Sequence, residues 1–270
     1  METDLIAAIG DDWREILLVM ALLMSRMLVA FSVIPLFVGN SIPRYIQAAF
    51  VVSLSLALLP MAIADEETAG ITMTAVPVYV VKEAGIGLVL GLLAAVGFWA
   101  MYAAGAIIGY QAALGMATAP DPFTGQPQSL MANVLMQLFI ALFLFTGGLL
   151  SFIGMLFESF RLWPLTSMTP LVGNVAVFEA GVGVLVQMFV LAVKVAAPFV
   201  ILMLLIELAL GLLARFAPQL NVFLLALPIK VTMLAVMMLI YSMLIFNGTI
   251  PLPAADFPAV LDTLEDRLDE

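Results

Sequence analysis

The sequence predicts an all-α, polytopic membrane-type fold of kinked helical hairpins, with six to eight long apolar helices. Three observations predict it. The chain of 270 residues is 64% hydrophobic and 10% charged, against about 25% charged in soluble domains. Its apolar residues fall in runs long enough to cross a bilayer, because about 20 helical residues at 1.5 Å each pass a ~30 Å hydrocarbon core. The connections are short and marked by proline or glycine, with no soluble insert, repeat or long linker. A single membrane domain over 1–270 follows, with acidic ends at 1–15 and 254–270.

The first run, Ile16–Val38, is broken only by small polar residues and Arg26. The acids Glu2, Asp4, Asp11 and Asp12 precede it and no basic segment does. It therefore reads as a retained anchor rather than a cleavable signal. Ile46–Ala64 follows a turn over Gly39–Arg44. Ile71–Ala119 is about twice the usual span, and one unbroken 49-residue helix would reach about 74 Å. It predicts a helical hairpin or a broken helix. Gly87 with Gly91, and Gly105 with Gly109, are spaced so that helix backbones can approach closely. That packing is either internal or against another subunit.

The connection from Ala119 to Gln128 holds Pro120, Pro122 and Pro127 with Gly125. Such a segment cannot be helical and predicts a stiff irregular loop; taken alone, it fits a solvent-side connection. Leu130–Phe157, Val175–Leu213 and Val222–Phe246 are the remaining runs. Between the last two, Pro218 lacks an N–H and stops the helix. Gln219 and Asn221 can bond the backbone groups freed there. Arg215 and Lys230 are expected to find acceptors around that break, with Pro228 close to Lys230.

Ionisable residues within apolar runs are expensive and normally face protein or water. Here they are Arg26, Lys82, Glu83, Glu179, Lys194, Glu207 and Lys230. None has an opposite charge three or four residues away, so none pairs along its own helix. Their partners are other helices, other subunits or a hydrated path. Arg44 places the first connection at the cytoplasm, and Asp65–Glu66–Glu67 places the next on the other side. The N-terminus is then outside, although only nine Lys and Arg inform the rule.

Several function classes fall away. The chain has no Cys and no His, which removes thiol chemistry, the commonest metal ligand and the commonest general base. A net charge of −10, concentrated at the ends, is the opposite of a nucleic-acid surface. No nucleotide loop, metal-ligand spacing or catalytic pairing is present. No enzymatic activity, cofactor or metal is expected.

The order of short pieces along the chain carries a family resemblance. They are Arg26–Met27–Leu28–Val29–Ala30–Phe31 with Pro35, Ile42–Pro43–Arg44, Lys82–Glu83, Asp121–Pro122–Phe123–Thr124–Gly125, Trp163–Pro164, Pro218–Gln219–Leu220–Asn221 and Leu227–Pro228–Ile229–Lys230. The chain resembles the export-gate subunit shared by type III secretion injectisomes (SctT, YscT or SpaR) and flagella (FliR). The resemblance implies an inner-membrane subunit through which unfolded proteins are exported, with energy supplied by other components. It implies SctR/FliP-like and SctS/FliQ-like partners in a helical ring, and an SctU/FlhB-like subunit beside them. Part of that ring would stand above the bilayer plane. It also implies that Pro120, Asp121, Pro122, Phe123, Thr124, Gly125 and Gln126 form a pore plug, with Met116 as a soft gasket. Absence of histidine near Thr146–Gly147–Gly148, together with Trp163–Pro164, resembles the injectisome branch. A flagellar subunit is the alternative. A secondary transporter of small solutes is the alternative of another class, but it should show two similar halves, and no convincing pair is seen.

Overall fold

An apolar run in lipid must satisfy its backbone polar groups internally, and helices do this within one segment. Among the described residues seven helices result, in the order α1 (Glu2–Val33), α2 (Arg44–Ile63), α3 (Val76–Gln111), α4 (Leu130–Phe145), α5 (Gly148–Leu162), α6 (Val175–Phe216) and α7 (Val222–Phe246). A short ribbon, β1 (Thr118–Pro120) with β2 (Pro127–Ser129), lies between α3 and α4. The computed structural model describes residues 2–37, 42–63, 74–112, 118–120, 127–167, 175–217, 219 and 222–246. Among these, five helices are long and apolar enough to cross a membrane, or up to six if the broken pair α4 and α5 forms one span. The all-α, membrane-type expectation holds.

Two runs divide differently from the expectation. Ile71–Ala119 is neither a hairpin nor broken within its described part, because α3 continues unbroken for 36 residues. Its glycines do not open the helix, since most are backed by neighbouring groups. Leu130–Phe157 instead breaks in two at Thr146–Gly147. Gly147 takes φ +79°, the left-handed conformation that ends helices and suits glycine.

The chain forms two compact units. The first comprises Met1–Ala95, Leu149–Val184 and Asp256–Glu270. Its core follows a helical stripe on α1, where Val19, Leu22, Leu23, Met27, Ala30 and Phe31 are buried at the three- and four-residue spacing of one face. Gly87 and Gly91 of α3 face α1. A Cβ at Gly87 would strike the Arg26 carbonyl, and one at Gly91 would come within 2.6 Å of the Ala30 oxygen. Only glycine lets these two backbones meet. Phe31 packs edge-on against Phe37, Phe50 and Phe152 at 4.8, 5.4 and 5.3 Å. Gln47 of α2 donates to the carbonyls of Phe37 and Ile42, pinning the turn that leaves α1.

The second unit comprises Val96–Gly148 and Leu185–Ala255. Phe98 of α3 packs on Phe139 and Phe143 of α4 at 4.8 and 5.0 Å, and Gly97 leaves room for the Phe139 ring. Gly105 accepts the backbone of Met131 and Ala132, while Gly109 meets the Ser129 hydroxyl. The base of the ribbon and the start of α4 therefore rest on the last turns of α3. Phe199 of α6 meets Tyr241 of α7 at 5.2 Å.

Candidate functional site

Arg26 is fully buried in the first unit, so its charge needs an answer within the protein. Its Nε donates to Glu83 Oε2 at 2.5 Å. Its other two nitrogens donate to Ser159 Oγ at 3.0 Å and the Trp163 carbonyl at 2.9 Å. The Phe160 ring covers the guanidinium at 3.8 Å, a cation–π contact strengthened where water is excluded. Residues 57 and 133 or more positions apart thus share one group. The planar fork of arginine is what allows three partners in three directions.

Lys82 completes the cluster. Its ammonium lies 2.9 Å from Glu83 Oε1, although that oxygen accepts no well-angled hydrogen bond. The three ammonium protons go instead to the carbonyls of Pro164, Leu165 and Ser167, at 3.1, 2.8 and 3.1 Å. A helix end leaves carbonyls without partners, and here two cations take up those beyond α5. One carboxylate and two cations bind α1, α3 and the chain leaving α5 into a single polar knot. Three separate pieces of the sequence, Arg26, Lys82–Glu83 and Trp163–Pro164, converge in it.

A second knot lies in the other unit. Lys230 of α7, 5% exposed, pairs with Glu207 of α6 and donates to the Gln111 carbonyl at 3.1 Å. Gln111 Nε2 reaches Glu207 Oε2 at 3.4 Å. Lys230 therefore caps the C-terminal end of α3, where a cation complements the helix dipole. The acceptors are of the expected kinds, a carboxylate and a helix-end carbonyl, but they lie on α6 and at the end of α3 rather than at the Pro218 break. Arg215 is exposed at the end of α6, and no described residue pairs with it.

The Pro-rich connection starts and ends in an ordered ribbon. Thr118 pairs with Ser129, Ala119 with Gln128 and Pro120 with Pro127. Its flanks are therefore extended and paired rather than irregular. The Pro120–Pro127 pair has no N–H on either side, so the ladder loses its donors there. Met116, Asp121, Pro122, Phe123, Thr124, Gly125 and Gln126 lie outside the described residues, as do Pro218 and Asn221. Gln219 and Pro228 are exposed. Glu179 lies on α6 with its side chain outside the described set, and Lys194 is exposed.

Ser159, Phe160 and Gln111 were not singled out from the sequence. A serine or glutamine in an apolar run is a faint signal, and carbonyl acceptors have no sequence signal at all. Among the described residues, no three metal-ligating side chains converge.

These features define a polytopic helical membrane protein whose buried charges join helices to one another. A Pro-rich ribbon separates its third and fourth helices. The chain belongs to the bacterial export proteins, family 1, whose model matches residues 17–250. It is 32% identical to Yop proteins translocation protein T of Yersinia pestis over 87% of this chain and 90% of that protein. It is 33% identical to surface presentation of antigens protein SpaR of Salmonella typhimurium over 72% and 71% of the two chains. It is 30% identical to flagellar biosynthetic protein FliR of Escherichia coli over 77% of each.

Proposed function

We propose that this chain is an export-gate subunit of a type III secretion apparatus of the injectisome kind, in the bacterial inner membrane. There it forms part of the channel for unfolded secreted proteins. The observation that carries this reading is the family match over 17–250. The likeness to the translocation protein over 90% of that protein's length supports the injectisome branch. So does Trp163–Pro164, the pair that receives Arg26 and Lys82. Its partners are SctR/FliP-like, SctS/FliQ-like and SctU/FlhB-like subunits. Among the described residues, long apolar faces on α6 and α7 are uncovered, with only 28% and 11% of their most apolar stretches buried, as a subunit that completes itself in an assembly would show.

Within that reading, Pro120–Gln126 is the pore plug and Met116 its gasket. The ribbon supports this role because it pairs the two flanks of the segment with each other, and Ser129 at its base meets Gly109 near the end of α3. Prolines lower the entropy lost on holding one closed conformation. The test is removal of Pro122–Gly125, followed by copurification with the other subunits and measurement of ion and dye uptake by the cells. The complex is expected to assemble and to leak. An assembled deletion complex without added leak removes the plug role. A stable monomer that moves a small solute removes the export-gate reading.

A further inference from the structure

Helix α6 has a charge problem that its own chain answers only in part. Glu179, Lys194, Glu207 and Arg215 divide it into charge-free stretches 180–193, 195–206 and 208–214, which are 14, 12 and 7 residues long. A crossing needs about 20 residues, so no crossing made by α6 avoids an ionisable group. Glu207 is answered within the chain by Lys230. Lys194 is not. It is exposed, and no acceptor for it occurs among the described residues.

Its position explains why. Ala192, Val195, Ala196, Phe199 and Met203 form the buried stripe of this part of α6. At ~100° per residue, Lys194 lies about 160° round the helix from Ala192 and about 180° from Met203. No rotamer brings its ammonium to the core of its own unit. The face it occupies is not a water-facing one either. Val190 and Ile201, within about 40° of it round the helix, are 45% and 59% exposed; the exposed Gln187, two turns back, is the other described polar side chain on this face, whereas a solvated face would be polar throughout. Hydrocarbon offers an ammonium no acceptor.

We propose that the outward face of α6 docks on an apolar helix of a neighbouring export-apparatus subunit, and that Lys194 pairs there with an Asp or Glu of that helix. The inference rests on the functional reading above and adds the residue and the chemistry of the contact. Charge complementarity selects a carboxylate, and the valine and isoleucine around the lysine select an apolar helix to carry it.

The test uses the complete complex in native membranes. A photoreactive benzoylphenylalanine at Val190 or Ile201 is expected to crosslink to another subunit of the apparatus. Lys194→Glu is expected to leave at least about thirtyfold less assembled complex, because it sets like charges together in a buried contact. Lys194→Arg should retain assembly. Exchange of the partner's carboxylate for lysine should restore Lys194→Glu. Crosslinks only to lipid, to the same chain or to a second copy of it would overturn the proposal, as would Lys194→Glu assembling normally. If the wild-type chain copurifies with the other subunits while these results fail, the functional reading stands and the contact falls. If it copurifies with none, both fall.

Discussion

Replacing Glu83 by Gln tests the polar knot with almost no change in shape. Arg26 and Glu83 are both fully buried, so water screens neither. The glutamine can still accept one bond from Arg26. Its uncharged amide no longer attracts the Lys82 ammonium that stood 2.9 Å from the carboxylate, and both cations lose their only carboxylate. Breaking a buried pair by removing one partner costs about 3–5 kcal/mol, because a bare charge remains. At ~1.4 kcal/mol per factor of ten, the folded-to-unfolded ratio should drop by roughly two to three and a half orders of magnitude. The double variant Arg26→Met, Glu83→Leu removes both charges at similar volume, and such replacements are often neutral or stabilising. Thermal unfolding of the purified chain or complex in detergent, read for Arg26→Met, Glu83→Leu and the double, gives the coupling. The double variant should unfold at a higher temperature than Glu83→Gln. Wild-type melting of Glu83→Gln would refute the reasoning that this carboxylate holds the two cations in place.

The glycines of α3 separate packing from helix propensity. Gly91→Val should lower stability by about 1–3 kcal/mol through overpacking, since its Cβ would press on the Ala30 backbone. Gly85→Ala meets nothing within 4 Å and should raise stability by about 0.5–1 kcal/mol; detergent melting curves compare them. Lys230→Met should cost about 1.5–3 kcal/mol, because it removes the charge-assisted bonds to Glu207 and to the Gln111 carbonyl. Its larger effect should be on the ribbon that follows α3, read as secretion or leak by the assembled complex.

The helices were legible because each apolar run exceeds what any loop can hold, and proline at 218 marked the end of α6. The continuity of α3 was not. Glycine content reads as a tendency to break, whereas the bodies facing Gly87, Gly91 and Gly105 lie on α1 and α4, far off in sequence. The charges were visible individually, and for Arg26, Glu207 and Lys230 the lack of neighbours along one helix showed that partners lay elsewhere; Lys82 and Glu83 break that rule, since these adjacent residues of α3 stand 2.9 Å apart. Which partners could not be read. Lys82 is answered by three carbonyls, and every residue type has one. The ribbon was hidden for a related reason: three prolines mark the absence of helix but say nothing of a pairing between the two flanks.

That Lys82 grips carbonyls has a consequence for how the 163–167 segment tolerates change. Only the backbone path presents the oxygens, so exchanging Leu165 alters local packing and leaves the grip in place. Pro164 and Ser167 also shape that path, Pro164 by its fixed φ and Ser167 by donating from its Oγ to the Pro164 carbonyl at 3.1 Å. Adding or removing a single residue moves all three oxygens at once and shifts the Trp163 carbonyl relative to Arg26. The segment is thus constrained in length more tightly than in composition, as a ruler is, and α1 and α3 are what it is measured against.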